Sequence, residues 1–191
     1  MKSVKGTKTE KNLLAAFAGE SQARNRYTYF ASKAKKEGYE QIAAVFQETA
    51  DNEKEHAKRF FSFLEGGMVD ITATFPAGVV GTTVENLKAA ADGEKEEHAE
   101  IYPAAADIAE QEGFKDIAAL FRLIAKVEKH HEERYRMLAK NIQDGKVFKK
   151  DQSTKWICRN CGYIAEGNEA PEKCPACLHE KAFFQLLCDH F

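Results

Sequence analysis

The chain has 191 residues, 43% of them hydrophobic and 30% charged, with a net charge of −2. That length can bury one large core, or one core and a small second one, and the near-neutral charge removes any electrostatic case for nucleic acid or an anionic membrane as partner. No apolar run approaches a membrane span, the opening MKSVKGTKTEKN lacks the apolar core of a signal peptide, and all five cysteines follow residue 157. The expectation is a cytoplasmic protein whose cysteines bind metal rather than pair as disulfides.

Thr7-x-x-Glu10 reads as a capping box that opens a first helix. Leu13, Phe17, Glu20, Arg24, Tyr27, Ala31 and Ala34 then recur at steps of three and four, which makes them one helical stripe. Gly38 is placed to stop that helix. A second helix is expected from Glu40 to Glu65, with Ile42, Phe46, Thr49, Glu53, His56, Phe60 and Leu64 on its inner face. Residues 66–81, GGMVDITATFPAGVVG, break the period and read as an extended connection, long for a helix–helix loop. Thr82-x-x-Glu85 opens a third helix, whose stripe is Val84, Leu87, Ala91, Glu94, Glu97, Ile101, Ala105 and Ile108. Gly113 ends it, and a fourth helix follows at once, ending near Gly145, with Ile117, Phe121, Ile124, Glu128, His131, Tyr135 and Leu138 inward. The pattern predicts a mainly α chain: a four-helix bundle with one long crossover over residues 1–146. Residues 146–155 are polar and read as a linker into a small second domain, 147–191.

The two halves of the bundle repeat. At an offset of 75, Gly38 matches Gly113, Ile42 matches Ile117, Phe46 matches Phe121, Glu53 matches Glu128 and His56 matches His131. Tyr27 matches Tyr102 at the same offset, but Glu20 matches Glu94 at 74. One extra residue therefore sits between the glutamate and the tyrosine of the third helix, with Pro103 just beyond. A π-bulge, or an ordinary proline kink, is expected between Glu94 and Pro103.

Buried charge is costly unless it is paired or bound to a metal. Glu20, Glu53, His56, Glu94, Glu128 and His131 all fall on inward stripes. One glutamate from each of two helices, with Glu-x-x-His from each of the other two, is the donor pattern of di-iron and di-manganese carboxylate bundles. Residues i and i+3 share a face, so such a glutamate can bridge two metals while its histidine binds one. Glu97, one turn from Glu94, reaches either the same cavity or solvent. His98 and His130 lie about 100° round their helices and are expected to be exposed. Tyr27 and Tyr102 are either core aromatics or hydroxyls that hold ligand carboxylates. Arg24 could pair with a carboxylate.

Cys158-x2-Cys161 and Cys174-x2-Cys177 form two knuckles for a tetrahedral four-thiolate site, for zinc or a single iron. Spacing alone favours a structural zinc ribbon. Trp156, Tyr163, Phe183 and Phe184 as an aromatic wrapping, beside a bundle that needs electrons, lean toward iron. Cys188 has no partner in this pattern and is expected as a free thiol packed near the C-terminus.

These motifs together, Glu20, Glu53-x-x-His56, Glu94-x-x-Glu97, Glu128-x-x-His131, Cys158-x-x-Cys161-Gly-Tyr and Cys174-Pro-x-Cys177, resemble the rubrerythrin family over essentially the whole chain. The resemblance implies a ferritin-like di-iron bundle joined to a rubredoxin-like domain, two iron ions in the first and one in the second. It also implies a cytoplasmic homodimer that reduces hydrogen peroxide to water against oxidative stress. Electrons would come from a reductase through the four-cysteine iron. In that family one iron shifts between a glutamate and a histidine, which correspond here to Glu97 and His56. Leu178 departs from the family, where glycine usually follows the fourth cysteine, and either strain in that knuckle or altered N–H···S bonds are expected. A ferroxidase or iron-handling protein, and a zinc-stabilised module without enzymatic activity, are the competing readings.

Overall fold

The computed structural model describes residues 2–188. Helices α1 (Lys8–Lys36), α2 (Glu40–Phe61), α3 (Thr83–Glu96), α4 (Tyr102–Gln111) and α5 (Lys115–Gln143) precede a three-stranded antiparallel sheet, β1 (Lys149–Cys158), β2 (Ile164–Glu169) and β3 (Phe184–Leu186), in the order β2-β1-β3. α3 and α4 are one bundle helix interrupted by a π-helical turn, Glu97–Ile101, where the one-residue slip falls. The wider turn absorbs the extra residue. It turns Ile101 outward, 45% exposed rather than in the stripe, and brings Tyr102 into the core.

The helix ends follow local chemistry. Tyr39 N–H bonds Ala34 O at 2.9 Å and Gly38 N–H bonds Lys35 O at 3.1 Å, while Phe114 and Gly113 repeat this on Ala109 and Glu110 at 2.8 and 2.9 Å. Gly38 and Gly113 take φ of +83° and +85°, as this C-terminal motif requires. The Thr82–Glu85 capping box is complete. At α1 only half of it forms: Glu10 accepts from Gly6 N–H at 2.7 Å, because Thr7 N–H is already bonded to Val4 O at 3.1 Å. α2 stops at Phe61, short of the expected Glu65. Its last turn tightens to i→i+3 bonds, and Glu65 instead accepts from Ser3 Oγ and Val4 N–H at 2.9 and 2.8 Å.

The repeat also builds a pair of reciprocal caps. Glu37, at the end of α1, accepts from Thr83 N–H and Oγ1 at 2.8 and 2.6 Å, at the start of α3. Glu112, which follows α4, accepts from Thr9 N–H and Oγ1 at 2.9 and 2.6 Å, at the start of α1. Each helix pair thereby satisfies orphan amides of the other.

Two aromatic-rich clusters flank the bundle centre, one around Tyr27, Phe46 and Tyr135, the other around Phe60, Tyr102 and Phe121. Residues 66–82 run along the outside as the crossover. Lys149–Lys155, read as linker, belongs to β1 instead. Its side chains are mostly exposed and its pairing with β2 is interrupted, so no alternation of apolar residues marks it. The small sheet packs Trp156, Cys158, Cys174 and Phe184 together, and its Phe148 stacks on Tyr39 with centroids 6.2 Å apart.

Candidate metal centres

The centre of the bundle is lined with charge. Glu20, Glu53, Glu94, Glu128 and His131 are buried, and His56 is half-buried. They form two groups, Glu20–Glu53–His56–Glu128 and Glu53–Glu94–Glu128–His131, each with its donor atoms within 4.8 Å of one another. Glu53 and Glu128 belong to both. Glu53 Oε2 lies 2.9 Å from His56 Nδ1 and its Oε1 3.3 Å from His131 Nδ1. Glu128 Oε1 lies 2.9 Å from His56 Nδ1 and its Oε2 2.7 Å from His131 Nδ1. Each shared carboxylate therefore points one oxygen at each half of the site.

The remaining carboxylates are held from across the bundle. Tyr27 Oη donates to Glu94 Oε1 and Tyr102 Oη to Glu20 Oε1, both at 2.6 Å. These paired bonds follow from α1 running antiparallel to α3 and α4. The other oxygens of Glu20 and Glu94, both oxygens of Glu53 and Glu128, and Nδ1 of both histidines are buried without a well-formed hydrogen bond. Buried polar atoms are rarely orphaned, and each unsatisfied one costs about 1–3 kcal/mol. Four carboxylates balance two divalent ions, and the donor set of oxygen and imidazole suits iron or manganese. The residues thus fit a dinuclear metal site.

The electrostatics lead to the same place. Burial, then the charges of Glu53 and Glu128, raises the carboxyls of Glu20 and Glu94 well above the usual range. Burial works against charge on the histidines, but Glu128 and Glu53 outweigh it, pushing His56 up to about 10 and His131 to about 9. Without cations, protons collect where cations would sit.

Glu97 stands on the π-turn, half-buried and outside both donor groups. Burial, then Glu128 and Glu53, pushes its carboxyl up to about 8. Of the pair expected to exchange, His56 is within the cluster here and Glu97 is at its edge. Arg24 is exposed and pairs with no carboxylate among the described residues, because Ala23 takes the inward position. His130 is exposed. His98 is not: it is half-buried, with Nε2 2.6 Å from Glu132, which bonds Arg136 at 2.7 Å. The π-turn shifts the face His98 presents, so a 100° step misplaces it. Beside Glu97 lies a cavity of about 360 Å³ between α1, the crossover and the π-containing helix. Arg26 and Phe75, which line it, carried no signal in sequence, since neither lies in a motif.

In the small domain the sulfurs of Cys158, Cys161, Cys174 and Cys177 lie within 4.8 Å of one another, with Cys158–Cys177 at 3.7 Å and Cys161–Cys174 at 3.6 Å. A tetrahedral centre with metal–sulfur bonds of about 2.3 Å sets its sulfurs about 3.8 Å apart, so the four thiols are already spaced for one metal. The backbone N–H of His179 draws the Cys177 thiol down to about 6, while Cys161, despite the Tyr163 amide, is driven up to about 12 by its neighbouring thiols. Trp156 and Phe184 are buried beside the site and Phe183 half-buried, but Tyr163 is 38% exposed and does not wrap it. Cys188 is exposed rather than packed.

The family model for rubrerythrin matches residues 11–139, and that for the rubredoxin-like domain of rubrerythrin matches residues 156–185. The chain is 65% identical to the rubrerythrin of Porphyromonas gingivalis over 97% of this chain and 93% of that one. It is 58% identical to the rubrerythrin of Nitratidesulfovibrio vulgaris over 98% of each. Among solved structures, nigerythrin in its fully reduced, all-ferrous state aligns at 34% identity with a TM-score of 0.65, covering 97% of this chain and 92% of that one.

Proposed function

We propose that this chain, which belongs to the rubrerythrin family, is a non-haem iron peroxidase that reduces hydrogen peroxide to water. The observation that carries the reading is the sharing of Glu53 and Glu128, each with one oxygen toward His56 and the other toward His131. Two iron ions held there would supply the two electrons that cleave an O–O bond, and a four-cysteine iron would return them one at a time.

The protein's part is positioning. Glu53 and Glu128 would serve both metals, with Glu20 and His56 completing one half of the site and Glu94 and His131 the other. Tyr102 and Tyr27 fix Glu20 and Glu94, so these carboxylates do not reorient as charge changes. Glu97 and His56 would be the catalytic pair that alternate at one position, since Glu97 feels the charges of Glu128 and Glu53 and only His56 among the six donors is half-buried rather than fully enclosed. Cys158, Cys161, Cys174 and Cys177 would hold the mononuclear iron. We place the units at 1–146 and 147–191, the protein in the cytoplasm as a homodimer, and its electrons as coming from a separate reductase. None of its described helices is long and apolar enough to cross a membrane.

Stopped-flow mixing of the fully reduced protein with hydrogen peroxide or O2 tests the activity. The expected result is oxidation of the bundle iron faster by peroxide. Equal or slower oxidation by peroxide removes the basis for the reading.

A further inference from the structure

The cavity beside Glu97 is larger than hydrogen peroxide needs. Its volume of about 360 Å³ falls within the ~300–1,000 Å³ of small-molecule sites, whereas a water's share of the liquid is about 30 Å³. Its lining is uneven. Because Tyr27 reaches Glu94 while Tyr102 reaches Glu20, α1 is antiparallel to α3 and α4. Gln22 and Arg26 therefore lie toward Glu97, and Ala15 and Ala16 toward Ala105 and Ile108. The end that adjoins the metal site is charged; the other is mostly apolar, with Asn12 as the polar side chain that α1 adds there.

Two details fit a ligand. Arg26 lines the polar end, and its Nε is buried without an acceptor among the described residues, a hydrogen-bonding capacity left unused beside the cavity. Gly19 sits inside α1, where glycine costs about 1 kcal/mol relative to alanine. A Cβ there would stand 3.5 Å from Phe75 Cε1 and 4.0 Å from Glu97 Oε1. Alanine would fit; a longer side chain would fill the passage between Phe75 and Glu97.

We propose that this cavity binds the carbon part of a small organic hydroperoxide, with the hydroperoxide group at the Glu97–Arg26 end. The proposal rests on the peroxidase reading and extends its substrate class. The O–O bond of ROOH breaks; two electrons, from the ferrous pair which that reading assigns to the bundle, and two protons yield ROH and one water.

The probe is 2-phenyl-2-propanol, the alcohol from cumene hydroperoxide, which cannot react. Its binding to the iron-loaded protein is measured by calorimetry for the wild type, Gly19→Leu and Ala104→Phe. The first variant intrudes from α1. The second intrudes from an exposed position on α4 and serves if the first fails to fold. Saturable binding is expected, weakened about tenfold or more in the variants, as when a side chain takes the space of a ligand's carbons. Reduced wild-type protein mixed with cumene hydroperoxide is expected to release one equivalent of the alcohol per chain. Absent binding, binding unchanged in the variants, or binding without oxidation by cumene hydroperoxide overturns the proposal. If hydrogen peroxide still oxidises the bundle iron in those cases, the peroxidase reading survives. If neither peroxide does, both fall.

Discussion

Leu178 occupies the turn position that Gly162 holds in the other cysteine knuckle, and its replacement by glycine tests how the four-thiolate site is built. Both residues are left-handed, with φ of +63° at Leu178 and +78° at Gly162. Both amides bond back to the first cysteine of their knuckle, Gly162 N–H to Cys158 O at 2.8 Å and Leu178 N–H to Cys174 O at 2.9 Å. The turn, not the side chain, sets the conformation. For an L residue it costs about 1–2 kcal/mol, and a side chain 68% exposed returns little of that by burial. Glycine relieves the strain but loses about 0.5–1 kcal/mol more backbone entropy on folding. The net gain for Leu178→Gly is about 0.5–1 kcal/mol. Metal binding and folding are coupled in such sites, so it emerges as about a two- to fivefold rise in metal affinity. Competition of the zinc-loaded protein with a chromophoric chelator measures it. Gly162→Ala is the reverse experiment: apart from its chain neighbours, no atom of the described residues lies within 4 Å of an added Cβ, so only the backbone cost enters, and affinity is expected to fall by a similar factor. Unchanged or lower affinity in Leu178→Gly refutes the argument, most directly if Gly162→Ala behaves as expected.

Tyr27→Phe and Tyr102→Phe each delete one 2.6 Å bond to a buried carboxylate. Each is expected to lower the stability of the metal-loaded protein by about 1.5–3 kcal/mol, the worth of a hydrogen bond to a charged group, read from the denaturant midpoint. A marked inequality between them would show that the two halves of the site are not equivalent. The Thr83 hydroxyl, more than its amide and Lys33, holds the Glu37 carboxyl down at about 2. A carboxyl lowered on folding stabilises above its unfolded pKa of 4.5 and loses that contribution as pH falls toward 2. Glu37→Gln is therefore expected to cost about 1 kcal/mol near neutrality, as a lost cap does, and less at pH 3. A stability gap identical at pH 6 and pH 3 would remove the role assigned to its charge.

The order of helices, the long crossover, the break after Glu94 and the cysteine knuckles were legible because each depends on neighbours within a few residues. A carboxylate within a stripe that recurs every third or fourth position, a glycine after that stripe, and a one-residue slip between two repeats are local facts, and the helical period converts them into faces. The same period has a resolution of one residue, about 100°, and there it failed: it put Arg24 and Ile101 inside and His98 outside, because the π-turn and the packing of α1 rotate those faces. The Glu-x-x-His spacing pointed to Glu53 and Glu128 as the shared carboxylates, but no spacing shows what holds Glu20 and Glu94. Glu20 and Glu94 are held by tyrosines from the opposite pair, and only the antiparallel docking of α1 on α3 and α4 brings that about. Glu37 and Glu112 became caps for helices far away in sequence for the same reason. The cavity at Glu97 is the extreme case. Gly19, Arg26 and Phe75 come from a helix interior and a structureless crossover, and they enclose a space only because three segments with no motif among them meet at one edge of the metal site.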